Sequence, residues 1–222
     1  MIEKNDVSAE NQVKKEHYIE RFFRGGAVNV LFIGNSITRH EPNKEIGWDN
    51  DWGMAASAKG KDYVHVAVGL LDERFGKVNY CMANCGGWEV NYFNAEMLSE
   101  WSEARDFSAD IVVIRLGENM WQAHDKFAEY PVAPFFKKMV EYFTVNPKSQ
   151  VIITGLFWDN QELENVISGV AGELNATFVP LNDLGSNDEN MAIGQFWHNG
   201  VAIHPNDLGM SRIAQRIVKA IK

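Results

Sequence analysis

Val28-Asn29-Val30-Leu31-Phe32-Ile33-Gly34-Asn35-Ser36-Ile37-Thr38-Arg39-His40 is an apolar run that stops at a glycine and delivers a serine. Residues 28–33 are few, half of them β-branched, and bounded by glycines, with no polar face to give to water. That pattern predicts a strand buried on both sides, as in a parallel sheet. Ser36 then lies just past the strand's carboxyl end. In open parallel α/β sheets ligands bind at that edge, where diverging loops leave a crevice. Taken alone, Gly34-Asn35-Ser36 reads first as an ordinary polar turn.

Working outward, further strands are expected over residues 77–83, 110–116, 150–156 and 176–179. Helices are expected over 54–75 with a break at Gly60, then over 89–104, 131–143, 161–175 and 205–221. Strands alternating with helices at this spacing give an α/β fold, a five-stranded parallel sheet with helices on both faces. Upstream, residues 8–23 carry Val13, His17, Ile19 and Phe22 or Phe23 at helical spacing, so they read as an amphipathic helix closed by Arg24-Gly25-Gly26. The expected organisation is a helical extension, 1–24, before one domain, 25–222.

The chain's 222 residues suit one such domain, and 45% hydrophobic content excludes wholesale disorder. Thirty acidic against 21 basic residues give a net charge of −9, which disfavours a nucleic-acid or anionic-membrane surface. A neutral or cationic small substrate, or a sugar, fits better. Cys81 and Cys85 form neither a disulfide framework nor a zinc pattern, and read as buried thiols. No apolar run reaches the ~18 residues that span a bilayer, and the amino terminus has no apolar signal core, so a soluble, cytoplasmic protein is expected.

Three strands thus end in Gly34-Asn35-Ser36, Asn84-Cys85-Gly86 and Gly117-Glu118-Asn119, and His204-Pro205-Asn206-Asp207 precedes the last helix. A parallel sheet brings all these strand ends to one edge. A serine, a glycine amide, an asparagine amide and a histidine are the inventory of acyl transfer: nucleophile, oxyanion donors and general base. In this order and spacing the clusters resemble the blocks of the SGNH hydrolases, or GDSL-like lipase/esterase family, over residues 28–221. The resemblance implies a flavodoxin-like three-layer α/β/α fold with Ser36 as nucleophile. It also implies an oxyanion hole from the Ser36 and Gly86 N–H groups and the Asn119 side chain, with His204 as base. No cofactor or metal is implied.

Two positions depart from the family pattern. Asn119 is followed by Met120 rather than aspartate, and the aspartate usual three residues before the histidine is replaced by Val201. A histidine without that carboxylate still works if a backbone carbonyl or another acid holds its Nδ1. The first candidate is a main-chain carbonyl within 195–201, and the second is Glu118, which is also a candidate for substrate binding in the same crevice. Asp207 sits where a helix cap is expected and reads as structural. A Ser-His dyad is the consequence.

The expected activity is hydrolysis of small acyl esters, acetyl esters of carbohydrates foremost. Trp48 and Trp52, in the loop 37–53, read either as a sugar-binding wall or as anchors of the loop to the core. Trp121, Trp158 and Trp197 are further stacking candidates. His40 is a pocket candidate or a solvated loop residue. Two other readings stay open: a sugar-binding protein of the same fold with a decayed triad, and an acyltransferase using the same serine.

Overall fold

The computed structural model describes residues 17–21 and 27–222. The chain runs through β1 (His17–Arg21), β2 (Asn29–Gly34), α1 (Tyr63–Phe75), β3 (Asn79–Asn84), α2 (Gly86–Val90), α3 (Ser102–Asp106) and β4 (Ile111–Arg115). It continues through α4 (Val132–Phe143), β5 (Gln150–Thr154), α5 (Gln161–Glu173), β6 (Thr177–Val179), α6 (Asn182–Gly185), α7 (Asn199–Ala202) and α8 (Asp207–Ala220).

Strands β2 to β6 are parallel in the order β3-β2-β4-β5-β6. The chain therefore steps from β2 to β3 on one side, then crosses to β4 on the other. The connection after β2 leads to α1 on one face and that after its neighbour β4 leads to α4 on the other, so a crevice opens between them at the carboxyl end of β2. Val30 to Ile33 are wholly buried, and period-two alternation splits them between two cores. Leu31 and Ile33 pack with Phe136 and Phe143 of α4 and Ile167 of α5. Val30 and Phe32 pack with Tyr63 and Leu71 of α1 and Ile213 and Ile217 of α8. Three layers are the result, as the α/β pattern predicts.

The structure departs from the sequence reading in three of the expected elements, and it adds the single-turn helices α6 and α7. Residues 17–21 are strand, not helix: β1 pairs antiparallel with β3, His17 opposite Ala83 and Ile19 opposite Cys81. The added strand covers what would be an open sheet edge, a tertiary demand that a helical pattern does not reveal. The remainder of the expected helix 8–23 lies outside the described residues. Second, the helix expected from residue 54 starts at Tyr63. Its cap, the buried Asp62 carboxylate, accepts the His65 N–H at 2.8 Å and the Gly53 N–H at 3.2 Å, holding the preceding segment in turns. Third, the helix expected over 89–104 is broken. α2 begins at Gly86 and ends at Val90, and the side chain of the next residue, Asn91, donates back to the Gly87 carbonyl at 3.0 Å.

Candidate active site

Gly34 ends β2 where no side chain fits: a Cβ there would lie 1.8 Å from Thr38 Oγ1 and 3.1 Å from the Arg115 carbonyl. The Asn35 carbonyl then accepts the Thr38 and Arg39 N–H groups, closing a tight turn with Ser36 at its tip. The Ser36 carbonyl accepts the Met54 N–H, so the 37–53 loop is tied back to the turn.

Ser36 Oγ lies 2.8 Å from His204 Nε2, and His204 Nδ1 lies 2.6 Å from the Gly200 carbonyl. The tautomer follows. A carbonyl can only accept, so Nδ1 carries the proton, and Nε2 of the neutral ring accepts from the serine hydroxyl. α7 is a single turn that sets Gly200 four residues before His204, with its carbonyl on the ring. His204 is only 9% exposed. Burial pushes its pKa down to about 3, against the Gly200 hydrogen bond and with Arg115 and His40 acting in the same direction as burial.

Beside this pair lies a buried polar network. Asn119 Nδ2 donates to Glu89 Oε2 at 2.6 Å, and the Gly117 N–H donates to Glu89 Oε1 at 2.5 Å. Arg115 pairs with Glu118 at 2.5 Å, and Glu118 also receives Asn35 Nδ2 at 2.7 Å and the Phe157 N–H at 3.2 Å. The Gly86 N–H donates to Asn84 Oδ1 at 2.9 Å. A Cβ on Gly86 would lie 3.7 Å from Asn119 Nδ2, so the two face each other.

Two cavities meet at this cluster. One, of about 590 Å³, is lined by Ser36, Gly86, Asn119 and His204, together with His40 and Met54. The other, of about 520 Å³, shares Asn119 and His204 and is walled by Trp121, Trp158 and Asp159. Trp158 stands edge-on to the His204 ring at 5.1 Å, fixed by its Nε1 donating to the Ile203 carbonyl at 3.2 Å.

The structure thus gathers Ser36, Gly86, Asn119, His204 and His40 around one cavity. It does not bring Trp48 or Trp52 there. Trp48 is wholly buried, donates to the His40 carbonyl at 3.1 Å, and packs with Met54 and Val201. Trp52 stacks edge-on against it and donates to the Ala56 carbonyl at 2.9 Å. Both anchor the loop. Glu118 is held by Arg115 and Asn35 instead of meeting His204 Nδ1, although it borders the second cavity. Asp207 is tied to Ser57 and Lys61, while Asn206 caps α8. Glu89 was missed in the sequence. Its signal was position: it lies one helical turn past Gly86, on the same face of α2.

Residues 32–212 match the model of the GDSL-like Lipase/Acylhydrolase family. The chain belongs to that family. It is accordingly an enzyme of the SGNH esterase type, a hydrolase. Among solved structures it is similar to a protein of Parabacteroides merdae ATCC 43184 assigned as a GDSL-like lipase, with 19% identity over 87% of this chain and 94% of that one, at a TM-score of 0.58. A family 3 carbohydrate esterase of Clostridium thermocellum gives 16% identity over 88% and 95%, at 0.59. Phospholipase A1 of Streptomyces albidoflavus NA297 gives 10% over 88% and 100%, at 0.51. At these identities the likeness is one of fold. No curated protein matches the sequence. Among the described residues no helix is long and apolar enough to cross a membrane, and no three His, Cys, Asp or Glu side chains group as a metal site.

Proposed function

We propose that the protein hydrolyses acyl esters of carbohydrates, acetyl esters foremost, by a Ser36–His204 dyad. The observation that carries this reading is the chain of contacts from Ser36 Oγ to His204 Nε2 and from Nδ1 to the Gly200 carbonyl. His204 takes the serine proton as Oγ bonds to the ester carbon, and the carbonyl oxygen becomes an oxyanion. That oxyanion is held by the Ser36 and Gly86 N–H groups and by Asn119 Nδ2. The Gly86 N–H turns from Asn84 Oδ1 to do so. Collapse breaks the bond to the alcohol oxygen, which leaves with the proton from His204. Water then attacks the acyl-enzyme, giving its proton to the same ring, and Ser36 recovers its own.

The carbonyl of Gly200 supplies tautomer and orientation, which is most of what an aspartate does, but no negative charge for the imidazolium. A neutral partner of this kind supports a slower enzyme than a full triad. The sugar side of the reading rests on the second cavity, where two indoles and the Asp159 carboxylate offer stacking faces and a hydroxyl partner beside the histidine that protonates the leaving alcohol. A fold shared with a carbohydrate esterase points the same way.

The test uses Trp121, 60% exposed and clear of the dyad. In Trp121→Ala, KM for an acetylated pyranoside rises about tenfold, the scale of one lost stacking contact, while turnover of p-nitrophenyl acetate is kept. Equal behaviour of both substrates in wild type and variant would overturn the carbohydrate assignment.

A further inference from the structure

The acyl-transfer steps above make no use of the carboxylate that lies behind Asn119. Glu89 is wholly buried. Its Oε1 accepts the Gly117 N–H at 2.5 Å and the Asn119 N–H at 3.4 Å, and its Oε2 accepts Asn119 Nδ2 at 2.6 Å. Asn35 Nδ2 reaches both oxygens, at 3.1 and 3.3 Å. Every one of these groups is a donor. An ionised carboxylate, which only accepts, matches the set, whereas a carboxylic acid would aim an O–H at N–H groups.

The same logic fixes Asn119. A carboxamide has one accepting and one donating end, and an all-acceptor partner selects the donating end. One Nδ2 hydrogen goes to Glu89. The other is left for the side of the cavity where Gly86 stands, 3.7 Å from a Cβ built on that glycine.

We propose that Glu89 is the positioning residue of the oxyanion hole, its carboxylate holding Asn119 with the NH2 rather than the carbonyl toward the reacting ester. The inference rests on the esterase reading above. Without Glu89 the Asn119 side chain is free to present Oδ1, which repels an oxyanion instead of binding it.

The groups facing Glu89 also set when it is charged. Burial and then the Glu118 carboxylate push its pKa up to about 7, while Gly117, Asn119 and Asn35 oppose. Arg115 answers Glu118 across the network, and the buried Cys85 thiol, itself pushed up by burial and by Glu89, is a further titratable neighbour. Glu89 therefore loses its charge at a higher pH than a free carboxyl does, and the O–H it then gains competes with the N–H groups, Asn119 Nδ2 among them, that the carboxylate accepts.

The experiment compares wild type, Glu89→Gln, Asn119→Ala and the double variant with p-nitrophenyl acetate between pH 5 and 9, with melting temperatures recorded for each. The side-chain amides of asparagine, labelled with ¹⁵N, are observed in parallel, Asn119 being identified by the signal lost in Asn119→Ala. Glu89→Gln is expected to lower kcat about 10²-fold with KM little changed. In the Asn119→Ala background the same substitution costs less than about threefold, because one acts through the other. The Asn119 amide signal, shifted and slow to exchange in wild type, reverts in Glu89→Gln. Glu89→Asp keeps the charge on a shorter arm and is read the same way should Glu89→Gln melt early. Full kcat in Glu89→Gln, losses that multiply in the double variant, or an unchanged Asn119 amide would each overturn the proposal. Absence of turnover in wild type counts against the esterase reading instead, and the amide spectrum then decides Glu89 alone.

Discussion

Val201 stands where the family resemblance leads one to expect an aspartate, and its surroundings explain the exchange. It is wholly buried in an apolar cluster with Trp48, Met54 and Ala192. A carboxylate there would be desolvated without a partner. Val201→Asp is therefore expected to destabilise the fold by at least about 2 kcal/mol and to bring no gain in kcat, read from thermal melts and p-nitrophenyl acetate turnover. A faster enzyme would show that the aspartate can still reach Nδ1. His204 makes a second residue-scale prediction. Its native pKa of about 3 lies below the unfolded value of 6.5. Between those values the unfolded chain binds more protons, so stability is full above about pH 6.5 and falls as the pH drops toward 3. His204→Gln is expected to flatten that acid loss in a pH series of melts, and an unchanged series would contradict the buried neutral ring. The same shift keeps His204 unprotonated at pH 5, with Nε2 free to accept the serine proton. Loss of the Glu89 charge as pH falls through about 7 is expected to give kcat/KM an acid limb that vanishes in Glu89→Gln. Asn119→Ala, removing one oxyanion donor, is expected to cost about 10²- to 10³-fold in kcat.

At the scale of elements, the turn after β2 carries the most information. Its strand was legible because a buried parallel strand is apolar on both faces, and the position of Ser36 follows from where such a strand must end. The close approach of Thr38 to Gly34 was not legible, since it depends on how the turn folds back. Gly34→Ala is expected to cost about 1–3 kcal/mol through overpacking, with a lower melting temperature and a displaced Ser36. Unchanged stability would mean that the turn relaxes freely. Helix starts were the least legible feature. Asp62 and Asn91 redirect the backbone through side-chain hydrogen bonds that compete with helix geometry, and residues 17–21 take up strand because β3 offers an edge. Glu89 escaped notice for the same reason. A glutamate in a helical stretch reads as a solvated face until the break at Asn91 turns that short helix inward.

Across the whole molecule, doubly wound topology turns four separated clusters into one site. The reversal at β2 places Ser36 between the loops of β3 and β4, which bring Gly86 and Asn119, and the segment before α8 returns with His204. That convergence was legible, because parallel strands share a carboxyl edge. The roles of the tryptophans were not, since Trp48 and Trp52 are equally at home in a sugar wall and a core, and only packing separates the two. The net charge of −9 and the Asp159 carboxylate in the second cavity together favour neutral esters over anionic ones. The central claim, that Ser36 is a live nucleophile despite Val201, is tested most directly by fluorophosphonate labelling read by peptide mass spectrometry in wild type and Ser36→Ala. One adduct on the peptide carrying Ser36, absent from the variant and matched by loss of p-nitrophenyl acetate turnover, is the expected result. An unlabelled Ser36, or turnover that survives in Ser36→Ala, would contradict it.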